Sequence, residues 1–158
     1  MIGYVWRWFH SPRETCMSQI QDAQLILQFY ELRREARFRE ARAFMVSRFK
    51  AKTLQELNEL CPPGSDENAY FRQVTSYWDM IAAIVKRHLV DKELFFETNG
   101  ELSVVWERVR QLVPVLREAY TNPRFLSNLE QIATEREAYV EEKAPGSLAA
   151  LRKRLGIT

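Results

Sequence analysis

Few side chains in this 158-residue chain have the type and spacing that acid–base or nucleophilic chemistry requires. The two histidines, His10 and His88, are far apart in the sequence, and no serine or cysteine lies in a recognisable nucleophile turn. Asp79 follows Trp78 in an apolar stretch. We expect it either to face solvent or pair with an arginine, or to line a pocket between helices. We therefore take Asp79 and His88 as a candidate pocket and expect no catalytic residue.

The sequence contains no motif for a metal, a cofactor or a disulfide framework. The two cysteines, Cys16 and Cys61, lack the close spacing of paired zinc ligands and of redox motifs. The five glycines are dispersed, so no glycine-rich loop could hold a phosphate. We expect two reduced thiols, no metal and no cofactor, and we do not expect an enzyme.

One stretch has the positive charge density that phosphate binding requires. Residues 31–52 contain eight basic and three acidic residues, whereas residues 130–143 contain two basic and five acidic residues. The candidate anion-binding set consists of Arg33, Arg37, Arg39, Arg42, Arg48 and Lys50. We expect the two stretches to neutralise each other within a bundle or across a dimer, and nucleic-acid or anionic-surface binding is the alternative.

The first nine residues are the most aromatic part of the chain. They include Tyr4, Trp6, Trp8 and Phe9. Each such side chain can bury roughly 150–250 Å², so we expect the segment to pack on its own domain or on a second copy. A membrane contact through this segment would be peripheral at most. We divide the chain into an aromatic arm, residues 1–14, and a helical domain, residues 15–158.

The elements that must position these residues are helices, because apolar residues recur with helical spacing and no stretch alternates as a strand would. The strongest pattern covers residues 68–89. Its main apolar stripe consists of Phe71, Val74, Trp78, Ile81 and Val85. A second stripe with Tyr70, Tyr77 and Ile84 adjoins it, which indicates contacts with several neighbours. We predict an all-α, single-domain bundle of about six or seven helices around this central helix.

The helix before the basic stretch is predicted to begin between Thr15 and Ser18 and to run to about Arg34. Its apolar face is predicted to contain Leu25, Phe29, Leu32 and Ala36, with Ile26 and Tyr30 adjoining. A second helix, or a bent continuation of the first, is predicted over residues 35–50. Neither glycine nor proline marks a boundary, so the two could also form one long helix.

Proline marks two places in the second half of the chain. Pro114 should kink a helix over residues 101–120, because it cannot donate a hydrogen bond to the preceding turn. Asn122 and Pro123 are of the types that favour an N-cap and a first helical position, so another helix is predicted to begin there.

The charge totals provide no strong electrostatic field. The 23 basic residues nearly balance the 21 acidic residues, and the net charge is +2. This balance does not favour nucleic acid or an anionic membrane as the partner. No run approaches the roughly 20 apolar residues that a membrane-spanning helix needs, and we expect a cytoplasmic protein.

Three stretches resemble a family of uncharacterised bacterial proteins that is all-helical and known as a domain of unknown function. These stretches are LQFYELRREARFREARAFMV, YWDMIAAIVKRHLVDKELF and VWERVRQLVPVLRE. They lie between about residues 20 and 117 and are packing patterns rather than catalytic motifs. The resemblance implies a helical fold and implies no activity.

The function that we expect is a non-enzymatic helical interaction or scaffolding module. Its partner would be another protein or a second copy of the chain, which would form a homodimer. The first alternative is nucleic-acid or anionic-surface binding through residues 33–52. The second is an enzyme or ligand binder with a pocket near Asp79 and His88.

Overall fold

The computed structural model describes residues 12–157, with side chains from residue 19 onward, and every regular element in this range is helical. The elements are α1 (Pro12–Leu32), α2 (Ala36–Ala43), a π-helical turn (Phe44–Arg48), α3 (Leu54–Leu60), α4 (Asp66–Lys86), α5 (Lys92–Thr98), α6 (Glu101–Val109), α7 (Val113–Ala119), α8 (Ser127–Lys143) and α9 (Ser147–Leu155). The all-α fold class is confirmed. Within these residues, no helix combines the length and apolar character that crossing a bilayer requires.

Helix α4 is the central element that the sequence predicted. All five residues of its main apolar stripe are buried, and Trp78, Ile81 and Val85 have no exposed surface. The Ser65 side chain caps the helix by accepting a hydrogen bond of 3.1 Å from the backbone nitrogen of Asn68. α4 packs against α2, the π-helical turn, α6 and α8, as its two adjoining apolar stripes predicted.

Helix α1 differs from its prediction at both ends. It begins at Pro12, so Ser18 lies within the helix and the last three residues of the predicted arm belong to it. It ends at Leu32 because the carboxylate of Glu35 caps the next helix, accepting hydrogen bonds of 3.0 and 2.8 Å from the backbone nitrogens of Arg37 and Phe38. Both hydrogen bonds favour the charged carboxylate, and they lower the pKa of Glu35.

The residues of α1 that were expected to be buried are divided between a buried and an exposed group. Phe29 is buried, and Leu25 and Ile26 pack against the core. Tyr30 and Leu32 are exposed, as is Ala36. The prediction was wrong for Leu32 and Ala36 because it continued one helical face across the end of α1, where the chain turns. Tyr30 lies within α1, on the side of the helix that faces away from the core.

The predicted kink at Pro114 is a complete break between two helices. α6 ends at Val109 and α7 begins at Val113, with the backbone nitrogen of Leu112 donating a 2.8 Å hydrogen bond to the carbonyl of Val109 in between. Pro114 lies in the first turn of α7, where its missing N–H costs no helical hydrogen bond. This division increases the number of helices in the described range beyond the six or seven expected.

The prediction that a helix begins at Asn122 was wrong, because α8 begins at Ser127. The side chain of Asn122 instead closes a turn, accepting a 3.0 Å hydrogen bond from the backbone nitrogen of Arg124. Leu126 precedes α8 in a left-handed conformation, with a φ of 52°, and its side chain provides no cap. The cap comes from Asp79 of α4, whose Oδ1 accepts hydrogen bonds from the first turn of α8.

Candidate functional site

The structure does not present the candidate anion-binding set as one free basic face. Arg33 is only 6% exposed, and its guanidinium lies 3.8 Å from the carboxylate of Glu101. Arg42 pairs with the same carboxylate, its Nε donating to both oxygens at 2.8 and 2.9 Å. This bond with Glu101 raises the pKa of Arg42, so both arginines are committed to one half-buried acid.

Two further arginines of the set pair with the first turn of α4. Arg37 lies 2.8 Å from Asp66, and Arg48 lies 3.1 Å from Glu67. Arg39 and Lys50 are exposed, and neither has a carboxylate within ion-pair distance among the side chains of residues 19–157.

Among the residues that the structure describes, the expected neutralisation of residues 31–52 by residues 130–143 does not occur within one chain. Glu130 lies 2.7 Å from Arg117, and Glu135 lies 2.7 Å from Lys92. Glu137 lies 3.4 Å from Arg152. Three of the five acids of α8 therefore pair with α5, α7 and α9, because α8 packs beside α4 and α6 rather than beside α2.

Asp79 caps α8 from the middle of α4. Its Oδ1 accepts hydrogen bonds of 3.1 and 2.9 Å from the backbone nitrogens of Asn128 and Leu129, and its Oδ2 accepts one of 3.2 Å from the side-chain nitrogen of Asn128. A carboxylate is favourable there because it satisfies two free N–H groups at the positive end of the helix. Asp79 was expected to face solvent, pair with an arginine or line a pocket, and this contact with a helix end was not anticipated.

The structure separates the two residues of the candidate pocket. Asp79 lines a cavity of about 820 Å³ between α4 and the segment that joins α7 to α8. His88 is exposed just beyond the C-terminal end of α4, with a φ of 55°, and its backbone nitrogen donates a 2.9 Å hydrogen bond to the carbonyl of Val85. His88 does not line this cavity, so the two side chains are not brought together.

The C-terminal end of α1 is fixed to the core. The hydroxyl of Tyr77 donates a 2.8 Å hydrogen bond to the carbonyl of Phe29, and its ring centroid lies 4.9 Å from that of Phe38. The guanidinium of Arg33 lies 5.3 Å from the centroid of the Trp78 ring, within the range of a cation–π interaction. These contacts determine where α1 leaves the domain.

The opposite face of α1 is apolar and exposed. Ile20, Leu27 and Tyr30 are 54%, 63% and 53% exposed, and Ala23 lies between them on the same face. These four residues, the α1 stripe, have the three- and four-residue spacing of one side of a helix, and Phe29 lies on the other side. No described element covers this stripe.

The α1 stripe is accompanied by few charges. From residue 16 to residue 30, Asp22 is the only charged residue, although 28% of the whole chain is charged. An exposed helix usually carries polar and charged residues on its solvent face, whereas the centres of protein interfaces are depleted of charge. This depletion is readable in the sequence, but of the four stripe residues only Tyr30 was assigned to the predicted apolar face of the helix.

A buried ionic cluster joins α9 to the domain. Glu107 of α6 is 4% exposed, and its Oε1 lies 2.7 Å from Arg152 of α9 and 3.0 Å from Arg110. Glu137 lies beside this cluster, where burial and the neighbouring charge of Glu107 raise its pKa. Two arginines balance the two acids, so this arrangement serves attachment of α9 rather than proton transfer.

The remaining candidates from the sequence are Cys61, the metal-ligating residue types and the residues of the aromatic arm. Cys61 is a buried free thiol, and burial raises its pKa to about 11, which leaves it unreactive at neutral pH. Among the residues that the structure describes, no three His, Cys, Asp or Glu side chains are grouped to hold a metal ion. His10 lies outside the described residues, as do the aromatic residues Tyr4, Trp6, Trp8 and Phe9.

Comparisons with known proteins identify a family without an assigned activity. A family model described as a domain of unknown function (DUF4760) matches residues 18–136, which is most of the chain and includes α2 to α7 entirely. No curated protein matches the chain. No solved structure matches it either.

Proposed function

Since the chain belongs to the DUF4760 family, a domain of unknown function, we propose its function from its own surfaces: a helical interaction module that self-associates through α1. The observation that carries this proposal is the exposed α1 stripe on a helix that is nearly free of charge. Burying Ile20, Leu27 and Tyr30 would remove a large apolar area from water, and such exposed patches are typical of interfaces.

The partner that fits the stripe best is a second copy of the same helix. If two α1 helices pair in antiparallel fashion about Leu25, Ile20 lies opposite Tyr30 and Ala23 lies opposite Leu27. In this register the small side chain of Ala23 faces the large side chain of Leu27 on the partner helix, as in an antiparallel coiled coil. Asp22 lies opposite Gln28, so no like charges meet across the two-fold axis.

The size of the stripe predicts the strength of this dimer. The stripe covers only two heptad-like repeats, at positions 20, 23, 27 and 30. Such an interface buries less than the roughly 1,000 Å² that stable interfaces usually exceed, so a weak and concentration-dependent dimer is expected. The aromatic residues at positions 4, 6, 8 and 9 precede α1 in the sequence and could enlarge the interface. Deleting residues 2–9 is therefore expected to weaken the dimer.

The test is sedimentation velocity of the full chain over a range of concentrations. Leu27→Glu places a charge at the centre of the interface and is expected to abolish the dimer. Leu89→Glu is the matched control, because Leu89 is equally exposed, at 61%, and lies outside α1. A wild-type protein that stays monomeric at the highest concentration, or a dimer that survives Leu27→Glu, contradicts the proposal.

A double variant tests the antiparallel direction separately. Ala23→Lys combined with Leu27→Glu places opposite charges against each other in an antiparallel pair and like charges against each other in a parallel one. We expect the double variant to regain part of the dimer that Leu27→Glu loses. The salt dependence of this recovery would report its electrostatic origin.

The nucleic-acid alternative has less support, because four of its six candidate side chains are already paired with acids. Arg39 and Lys50 alone make a small phosphate-binding surface.

Our proposal also includes a cytoplasmic location, for which the support is the buried free thiol of Cys61 in a chain with two cysteines.

A further inference from the structure

The cavity beside Asp79 is distinct from the α1 stripe and has the composition of a ligand site. Its volume of about 820 Å³ is within the range of small-molecule sites, roughly 300–1,000 Å³. One wall is α4, and the other is the segment from Tyr120 to Leu126 that joins α7 to α8. Both walls contribute apolar and cationic side chains.

The cationic side chains of this cavity have no acidic partner. Arg72 and Arg124 both line it, and neither guanidinium has a carboxylate within ion-pair distance among the side chains of residues 19–157. Nearby Arg117 differs, because it lies 2.7 Å from Glu130. Two residues that line the cavity therefore carry guanidinium groups without an acidic partner in the described part of the chain.

The one acid in the cavity is committed to the protein. Both oxygens of Asp79 accept hydrogen bonds from Asn128 or Leu129. The positive end of α8 offsets its charge. Because Asp79 occupies this helix end, an anion in the cavity would be held by the two arginines and not by α8.

The apolar side chains that line the cavity are exposed, and contacts within the protein hold them in place. Met80 and Tyr120 are 49% and 52% exposed, and the ring centroid of Tyr120 lies 5.2 Å from that of Phe125 in an edge-to-face contact. Arg117 Nε donates a 3.0 Å hydrogen bond to the carbonyl of Phe125, which fixes this segment to α7. A methionine side chain adapts its shape to an apolar ligand at little cost.

We propose that this cavity binds a small amphiphilic anion, whose apolar body lies on Met80 and Tyr120 and whose anionic head pairs with Arg72 and Arg124. A guanidinium forms paired hydrogen bonds with either a carboxylate or a phosphate, so the head is one of these two groups. The body is aliphatic or aromatic, because the exposed wall consists of a thioether chain and phenyl-type rings.

The test uses three probes with the same twelve-carbon chain, dodecanoate, dodecyl phosphate and dodecanol, below their micellar concentrations. Calorimetric titration of the full-length protein should show binding of at least one anion and much weaker binding of the alcohol. A tighter complex with dodecanoate assigns a carboxylate ligand, and a tighter complex with dodecyl phosphate assigns a phosphate ligand. Absence of binding by both anions, or equal binding of dodecanol, overturns the proposal.

Variants assign the binding to this cavity. Arg72→Gln combined with Arg124→Gln should weaken the anion complex at least about tenfold, as expected for the loss of charge-assisted hydrogen bonds. The matched control is Arg39→Gln combined with Arg87→Gln, which removes the same charge from exposed positions outside the cavity. Equal loss of affinity in both double variants would indicate a general charge effect and contradict the assignment.

A further variant separates the cavity from the α1 stripe, which could also attract an alkyl chain. Leu27→Glu should leave the affinity for dodecanoate and dodecyl phosphate unchanged. If it removes binding, the amphiphile lies on α1 and the cavity assignment is wrong. Binding that is retained in Leu27→Glu and lost in the arginine variant supports the cavity.

Discussion

Oδ1 of Asp79 lies 2.9 Å from the backbone nitrogen of Leu129, so a side chain in the middle of the central helix caps a helix that begins 48 residues later at Ser127. The same oxygen accepts the backbone N–H of Asn128, and the half-buried position of Asp79 limits replacement of these bonds by water. Leu126, the residue that should cap α8 locally, has no side-chain oxygen. The start of α8 is therefore set by tertiary contact.

Replacing Asp79 with alanine is expected to lower the free energy of unfolding by about 1–3 kcal/mol, because two backbone N–H groups lose their acceptor. Asp79→Asn keeps one oxygen in place and should lose less. Urea unfolding measures both values. Amide hydrogen exchange should also become faster at Asn128 and Leu129 in the alanine variant.

The control for this prediction is Glu118→Ala, which removes an exposed carboxylate from the nearby helix α7. A surface substitution of this kind usually changes stability by less than about 0.5 kcal/mol. If Asp79→Ala costs no more than this control, the hydrogen bonds to α8 contribute nothing to stability. The start of α8 would then have another cause.

The features that could be predicted from the sequence depend on residues close together in the chain. The buried stripe of α4 follows from helical spacing alone, and the Ser65 cap follows from its position one residue before the helix. Thr53 likewise caps α3 and forms a reciprocal capping box with Glu56. Each of these signals lies within one or two helical turns.

The features that could not be predicted depend on contacts between remote residues. The cap from Asp79 to α8 joins positions that no local pattern connects. Arg33 was predicted to belong to a basic face, yet its guanidinium lies over the rings of Tyr30 and Trp78, beside the half-buried acid Glu101. The cavity was also unreadable, because Arg72 and Arg124 come from two walls that meet only in the folded domain.

The central position of α4 predicts that truncating two of its large side chains, two residues apart, will cost very different amounts of stability. Trp78 is fully buried, whereas Met80, two residues later, is 49% exposed. Trp78→Ala should lower the free energy of unfolding by about 3–5 kcal/mol, because a large buried side chain leaves a cavity. Met80→Ala is the matched control and should cost much less.

Thermal or urea unfolding of the two variants checks this order. The indole nitrogen of Trp78 has no hydrogen-bond partner in the described structure, so its loss leaves no protein group unpaired. The expected cost thus combines lost packing with the lost cation–π contact of Arg33. Equal midpoints for Trp78→Ala and the wild type would show that α4 is peripheral to the core.

Two glutamates of α8 should show opposite dependences of stability on pH. Hydrogen bonds from Lys92 and Gln131 lower the pKa of Glu135, whereas burial and the charge of Glu107 raise the pKa of Glu137. Folded Glu135 holds its proton less tightly than in the unfolded chain, so its stabilisation is present above the ordinary glutamate range and is lost as the pH falls. Folded Glu137 holds its proton more tightly, so its contribution is present at low pH and is lost as the pH rises through the raised pKa.

Urea unfolding of the wild type, Glu135→Gln and Glu137→Gln from about pH 3 to pH 7 measures these contributions. The wild type should gain stability relative to Glu135→Gln as the pH rises, and it should lose stability relative to Glu137→Gln over the same range. The two variants share one helix and one chemical change, so each is the control for the other. Slopes of the same sign would contradict the prediction. They would show that the environments of Glu135 and Glu137 do not shift the two pKa values in opposite directions.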